Sequence, residues 1–327
     1  MSELKDTRGI YPDKYHTLLD DELWDFINRT AHFYADDAVE WSIEQQRAKY
    51  DELCAAFSEA RPNFIKSGDT SINCEGRSVG LRHYQDTRST GHAAHILFIH
   101  GGGFVVGGLE SHDSICVDLV AATGLPLTAV DYALAPEHIH PADTDDCLAA
   151  FQHLAQQTDL PIILVGDSAG GNLCAAIAHA NRGKARQPLG QVLIYPGLGN
   201  DVEHGSFMDH AHSPGITQAD TRFYKAMRTG RNGALLQSAK CCPLIDEDFS
   251  NLPPTRIHTA DCDPLKDDGL HYALKLAGAG GDVKVHNWAG LIHGHLRARY
   301  MSVKAKACFE AIVADVKELA APSRLVG

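Results

Sequence analysis

The stretch "IILVGDSAGGNLCAAIAHA", residues 162–180, sets one serine among glycines, after a β-branched apolar run and before a segment of helical character. Two readings compete for Ser168. One is a helix N-cap, since a serine hydroxyl accepts a hydrogen bond from an orphan N–H of the first turn. The other is a nucleophile: "GDSAG" fits GxSxG, whose physical content is a sharp strand-to-helix turn that exposes a strained serine. Gly166 and Gly170 suit such a turn, because a side chain at either would crowd it. The context that the motif needs is present, with "PIILVG" strand-like before the serine and "GNLCAAIAHA" helical after it.

Working outward, the same alternation recurs. Short apolar runs ended by Gly, Pro or Asp ("HAAHILFIHGGG", "LPLTAVDYALAPE", "GQVLIYPG", "PTRIHTADCDP", "DVKVHNWAG") read as strands. Between them lie helical segments at 111–123, 141–157 and 172–185. "SINCEGRSVGLRHYQD" alternates like a hairpin, and residues 15–60 space Leu, Trp, Phe and Ile at helical intervals, predicting two or three amphipathic helices. Strands alternating with helices imply an α/β fold with a mostly parallel sheet covered on both faces. Residues 197–245 break the rhythm with a polar, Gly-rich lead-in and a helical "TQADTRFYKAMRTG". This insertion is expected to join the N-terminal helices as a cap over one end of the sheet.

Bulk properties narrow the function classes. With 29 basic and 42 acidic side chains the net charge is −13, so a polyanion or an anionic membrane meets repulsion, and nucleic acid and membrane are excluded as expected partners. "MSELKDTRGIYPDKYHTLLDDELWDF" has neither the basic and apolar regions of a signal peptide nor a long uncharged run, which predicts a cytoplasmic protein. Nine scattered cysteines without a CxxC pair read as reduced, buried small hydrophobes, the adjacent Cys241 and Cys242 included. The local histidine pairs at 138–140, 210–212 and 293–295 lack the spacing of a helical HExxH or a zinc finger, so no metal is expected.

"FIHGGGFVVGG" at 98–108 places three consecutive glycines after a strand-like run. They leave backbone N–H groups uncovered and allow close approach of a ligand. The Lys-Ser/Thr of a Walker A loop is missing and no clear helix follows, which argues against a phosphate cradle. Phe104, Val105 and Val106 read either as the wall of an acyl or alcohol pocket or as plain core. A nucleophilic serine further needs an acid and a base, which in this type of fold follow it in that order. "PTRIHTA" ends in "DCDPLKDDG", offering Asp261, Asp263, Asp267 and Asp268, with Asp263 before Pro264 also suited to capping a helix. "DVKVHNWAG" is followed by "LIHGHLRARY", offering His293 as base with His295 as rival. His100, Asp131, Glu137 and Asp167 are read as scaffold that holds loops near the site.

Together "HGGGF", "DYALAPEH", "GDSAGGN", "DPLKDDG" and "IHGH", in this order between about residues 95 and 295, resemble the bacterial hormone-sensitive-lipase-like family of α/β-hydrolases, the carboxylesterases with a GDSAGG motif. The resemblance implies an eight-stranded, mostly parallel sheet flanked by helices. It also implies a helical cap from residues 1–65 and 197–245 over a catalytic domain spanning 66–327. The activity implied is cofactor-free hydrolysis of short- to medium-chain acyl esters through an acyl-enzyme; the alternatives are a related acyl hydrolase (amidase, thioesterase or lactonase) and a non-catalytic small-molecule receptor on the same fold. Position by position, Ser168 matches the nucleophile, Asp263 the acid and His293 the base, while Gly102, Gly103 and Ala169 match oxyanion donors. Two departures stand out: Ala133 replaces the family's usual Arg, and His295 stands where Phe is frequent, giving the wall beside the base a second imidazole. The strand "DVKVHNW", if it lies at the sheet edge, offers a place for a homodimer to form.

Overall fold

The computed structural model describes residues 6–34, 41–199 and 203–321. Residues 1–5 of the predicted N-terminus, 35–40 of the predicted helical stretch and 200–202 of the predicted insertion lie outside the described residues. Three helices lead the chain: α1 (Lys14–Leu18), α2 (Asp21–Ala31) and α3 (Ile43–Ala56). Asp20 caps α2 by accepting the Leu23 N–H, and the helix buries Leu23, Trp24, Phe26 and Ile27 along one face. Ser42 and Gln45 form a reciprocal capping box at the start of α3. The predicted hairpin follows as β1 (Ile65–Cys74) and β2 (Arg77–Asp86), one of whose strands thus starts at the last residue assigned to the cap. Its turn, Glu75 and Gly76, takes positive φ at both residues, as a two-residue hairpin requires.

From there strands and helices alternate: β3 (His95–Ile99), α4 (Asp113–Thr123), β4 (Leu127–Asp131), α5 (Ala142–Gln157), β5 (Ile162–Asp167), α6 (Ala169–Asn181) and β6 (Gly190–Ile194). The insertion contributes α7 (Ser206–Asp209) and α8 (Gln218–Arg228), after which β7 (Thr255–Cys262), α9 (Lys266–Gly278), β8 (Val283–Ile292) and α10 (Val303–Ala320) complete the chain. The eight strands form one sheet in the order β1-β2-β4-β3-β5-β6-β7-β8, with β2 antiparallel to its neighbours and β4 through β8 parallel. Every residue of β5 and β6 is buried, which is why these strands read as continuous apolar runs rather than as alternation.

The topology positions the chemistry. From β3 the chain steps to β4 on one side and then to β5 on the other, so the loops leaving β3 and β5 flank the crevice where the strand order reverses. β7 and β8 lie side by side beyond β6, and the loops at their ends open at the same end of the sheet. The N-terminal helices and the insertion meet there as well: the buried Tyr15 hydroxyl lies 3.0 Å from His210 Nδ1, and Lys14 Nζ donates to the Asp209 carbonyl. Among the described residues no helix is long and apolar enough to cross a membrane. All nine cysteines are buried thiols in no disulfide, Cys241 and Cys242 included.

Candidate active site

Ser168 takes φ 53° and ψ −116°, a conformation that costs an L-residue strain and is held only by its surroundings. Its N–H donates to the Ile194 carbonyl at 2.8 Å, anchoring the turn to β6. Although the residue precedes α6 directly, its hydroxyl caps no helical N–H. It lies instead 2.8 Å from His293 Nε2. The glycines around it are sterically required, since a Cβ at Gly166 would come within 2.5 Å of the Gly170 carbonyl oxygen and one at Gly170 within 1.9 Å of the Ile99 carbonyl oxygen.

His293 Nδ1 lies 2.7 Å from Asp263 Oδ2. The other oxygen of this fully buried carboxylate accepts the Leu265 N–H at 2.8 Å, so Asp263 orients the imidazole and pins the loop before α9 at once. The rival acids are occupied elsewhere: Asp267 accepts the Ser206 N–H at 2.8 Å, Asp268 accepts those of Leu198 and Gly199 at 2.8 and 2.9 Å, and Asp261 accepts from Asn287 at 3.2 Å. The rival base is buried behind the site, with His295 Nδ1 on the Ile292 carbonyl at 2.9 Å and Nε2 at 3.2 Å from Cys308 Sγ. Burial pushes its pKa down to about 4. The expectation that a second imidazole lines the wall beside the base is therefore corrected. The ring of Tyr195 contacts both imidazoles, at 4.7 Å from His293 and 5.0 Å from His295 between centroids.

The glycine loop is held by Asp167, whose Oδ1 accepts the Gly101 N–H at 2.9 Å and lies 3.4 Å from His112 Nε2. Burial alone would raise this carboxyl's pKa, but His112, Arg297 and the Gly101 N–H outweigh it and keep the group well below the ordinary carboxylate range. His100 stacks on Tyr132 at 4.3 Å, and the Tyr132 hydroxyl donates to the His100 carbonyl. Gly102, Gly103 and Phe104 all take positive φ. At Gly103 a Cβ would run into the Tyr224 ring of α8 at 2.4 Å, so α8 lies directly over the loop.

A cavity of about 380 Å³ opens in front of Ser168 and His293, bordered by Gly102 and Gly103 and closed by Phe26 of α2, Tyr50 of α3 and Tyr224 of α8. N-terminal helices and insertion thus wall the same space. Val106 lines it, whereas Phe104 and Val105 do not, which corrects the reading of these two as pocket residues. The left-handed turn faces Phe104 into the core under the Arg228 guanidinium, 3.7 Å from the ring centroid. Val105 is fully buried against Ala135 and Tyr50. Tyr34, Tyr195, Ile216 and Arg297 line the cavity without having been singled out in the sequence; no motif marks them, because they come from four separated parts of the chain.

Glu137 does hold a loop, through a two-pronged ion pair with Arg47 of α3 at 2.7 and 2.9 Å. Asp131 does not: it is exposed at the end of β4, and its carboxylate makes no hydrogen bond among the described residues. Asp146, which accepts the Ala133 N–H at 3.0 Å, receives Arg77 of β2 at 2.7 Å.

A family model described as alpha/beta hydrolase fold matches residues 96–297. Among curated relatives, the esterase LipI of Mycobacterium tuberculosis is 35% identical over 70% of this chain and 74% of its own. The ethyl acetate hydrolase of Pseudomonas putida is 34% identical over 78% of this chain and 83% of its own. Among solved structures, the thermostable carboxylesterase EstE1 from a metagenomic library superposes with a TM-score of 0.81 at 29% identity, covering 87% of this chain and 99% of that one.

Proposed function

Because the chain belongs to the hormone-sensitive-lipase-like family of the alpha/beta hydrolase fold and is a carboxylic ester hydrolase, we propose that Ser168, His293 and Asp263 cleave short- to medium-chain acyl esters through an acyl-enzyme. The observation that carries this reading is the continuous chain of contacts from Ser168 Oγ to His293 Nε2 at 2.8 Å and from His293 Nδ1 to Asp263 Oδ2 at 2.7 Å, at the wall of the cavity. His293 Nε2 takes the hydroxyl proton as Ser168 Oγ attacks the ester carbonyl carbon, while Asp263 accepts the Nδ1–H and favours the imidazolium that forms. Negative charge on the former carbonyl oxygen is met by the N–H groups of Gly102, Gly103 and Ala169 and by the positive end of α6. The imidazolium then protonates the departing alkoxide. Water, deprotonated by the same histidine, attacks the acyl-enzyme, and collapse of the second tetrahedral intermediate returns the acid and the free serine.

In this reading residues 1–65 and 197–245 form a cap over a catalytic domain of residues 66–327, a division supported by the Tyr15–His210 contact and by the shared cavity wall. The size of the cavity favours esters of modest chain length. The test is a ladder of p-nitrophenyl acyl esters and one anilide, assayed with the wild-type chain and Ser168→Ala. We expect turnover of the acetate or butyrate ester, weak or no anilide cleavage, and a fall in kcat of about 10⁶-fold in the variant. Activity retained in Ser168→Ala would overturn the mechanism.

A further inference from the structure

Arg297 stands four residues beyond His293 in the short 3-10 segment His295–Tyr300, and its side chain lines the same cavity as Ser168 and His293. Two of its nitrogens are engaged by the cap: Nε donates to Cys54 Sγ at 3.1 Å and Nη2 to the Tyr50 hydroxyl, with the guanidinium 4.8 Å from the Tyr50 ring centroid. Both partners are uncharged. Among the described residues no carboxylate lies within 4.0 Å of this guanidinium, and Nη1 has no hydrogen-bond acceptor. The acidic groups on the same wall hydrogen-bond elsewhere, Asp167 to the Gly101 N–H at 2.9 Å and Asp220 to the N–H and hydroxyl of Thr217 at 2.9 and 2.7 Å, so that Asp167 acts on Arg297 only through space. An arginine stays charged at every physiological pH, and a cation enclosed by protein is ordinarily paired. The fully buried arginines Arg228 and Arg299 follow that rule, with Asp143 at 2.6 Å and Asp118 at 2.7 Å, whereas Arg297 is half-buried.

We propose that Arg297 is a substrate-binding residue whose free edge takes a carboxylate carried by the ester itself, so that the preferred substrates are carboxylate-bearing esters such as the half-esters of dicarboxylic acids. The inference rests on the reading of Ser168 and His293 given above. Its reasoning is electrostatic: the planar fork, stacked on Tyr50 and fixed at two nitrogens, is preorganised to present Nη1 to a planar anion. Hydrolysis itself is unchanged. The ester C–O bond breaks, water supplies the acid oxygen and the alcohol proton, and the remote carboxylate passes through untouched.

The experiment compares three matched esters with the full-length enzyme in a pH-stat: an ethyl half-ester of glutarate, its neutral terminal amide, and ethyl butyrate. A fourth, an acetyl ester of a hydroxy acid, places the carboxylate on the alcohol side and tells which arm of the cavity Arg297 serves. We expect at least one carboxylate ester to exceed its neutral analogue in kcat/KM by about tenfold or more. Arg297→Gln is expected to erase that preference, bringing the kcat/KM ratio of the half-ester to its amide close to one mainly through the half-ester's KM, and Arg297→Lys to restore part of it. Glutarate should inhibit the wild type competitively, a measurement that needs no variant. A wild type that favours the neutral esters, or an Arg297→Gln variant that depresses all substrates alike, would mean that the guanidinium only ties α3 to the histidine loop. Failure to cleave any of the esters would instead strike at the parent reading.

Discussion

Ser168 reconciles the two roles that its sequence context permits. It sits where a cap would sit, yet its strained φ and its anchored N–H aim the hydroxyl at His293 rather than into α6. The strain is sustained by glycines with no alternative: Gly170→Ala would drive a methyl to 1.9 Å from the Ile99 carbonyl oxygen. That variant is expected to lose ~1–3 kcal/mol or more of stability, read as a lower denaturant midpoint, together with its activity. The histidine pair separates just as cleanly. His295→Phe, which swaps a buried neutral ring for an apolar one behind Tyr195, is expected to keep kcat within a few-fold, whereas His293→Ala loses it. Kinetics of the two variants on one p-nitrophenyl ester decide the matter; inactivation by the His295 change alone would reverse the assignment. GxSxG and HGGG were legible because a backbone constraint writes glycine into adjacent positions. The choice among Asp261, Asp263, Asp267 and Asp268 was not legible from spacing, because four acids within eight residues differ only in where the loop turns each of them.

At the level of elements, the fit of the insertion to the core depends on one buried ion pair. Arg228 at the end of α8 donates to Asp143 of α5 at 2.6 Å, with both side chains almost wholly enclosed, and it also reaches Asn172 and the Cys241 carbonyl. Burial would raise the Asp143 pKa, but Arg228 and His140 outweigh it and hold the group below the ordinary carboxylate range. Removing one member leaves the other charged and unpaired, so Asp143→Asn is expected to cost about 3–5 kcal/mol, measured by chemical denaturation. The sign with pH follows from the depressed folded pKa: this contribution is complete above the unfolded value of about 4 and fades as pH falls below it. The helices themselves were legible from 3.6-residue periodicity and capping residues. Which of them meet over the cavity was not, since Tyr15 and His210 are 195 residues apart and nothing local couples them.

For the whole molecule, acid sensitivity is expected to begin earlier than the carboxylates alone would require. Burial pushes His95 and His295 down to about 4 and His100 to about 3. These groups are neutral when folded and protonate on unfolding, so stability declines as pH drops below about 6.5 and continues to fall toward the folded values. A series of thermal melts from pH 7.5 to 4.5 should show a monotonic fall in Tm; a flat profile down to pH 5 would contradict it. The sheet ends at β8, whose outer edge pairs with no strand among the described residues and carries the exposed Val285. We propose that a second copy pairs along this edge, and sedimentation at micromolar concentration should then give a dimer that Val285→Lys weakens.

By itself the sequence determined the strand and helix alternation, the chemistry of the turn around Ser168 and the order of serine, acid and base along the chain. These are local matters, dictated by periodicity, by glycine where backbones nearly touch, and by side-chain reactivity. Only the tertiary structure decided which carboxylate faces His293, that Phe104 belongs to the core, and that Arg297 enters the cavity with no carboxylate of the described residues within 4.0 Å. Those outcomes depend on how elements far apart in the chain pack at one end of the sheet, and no spacing rule records the direction in which a side chain then points.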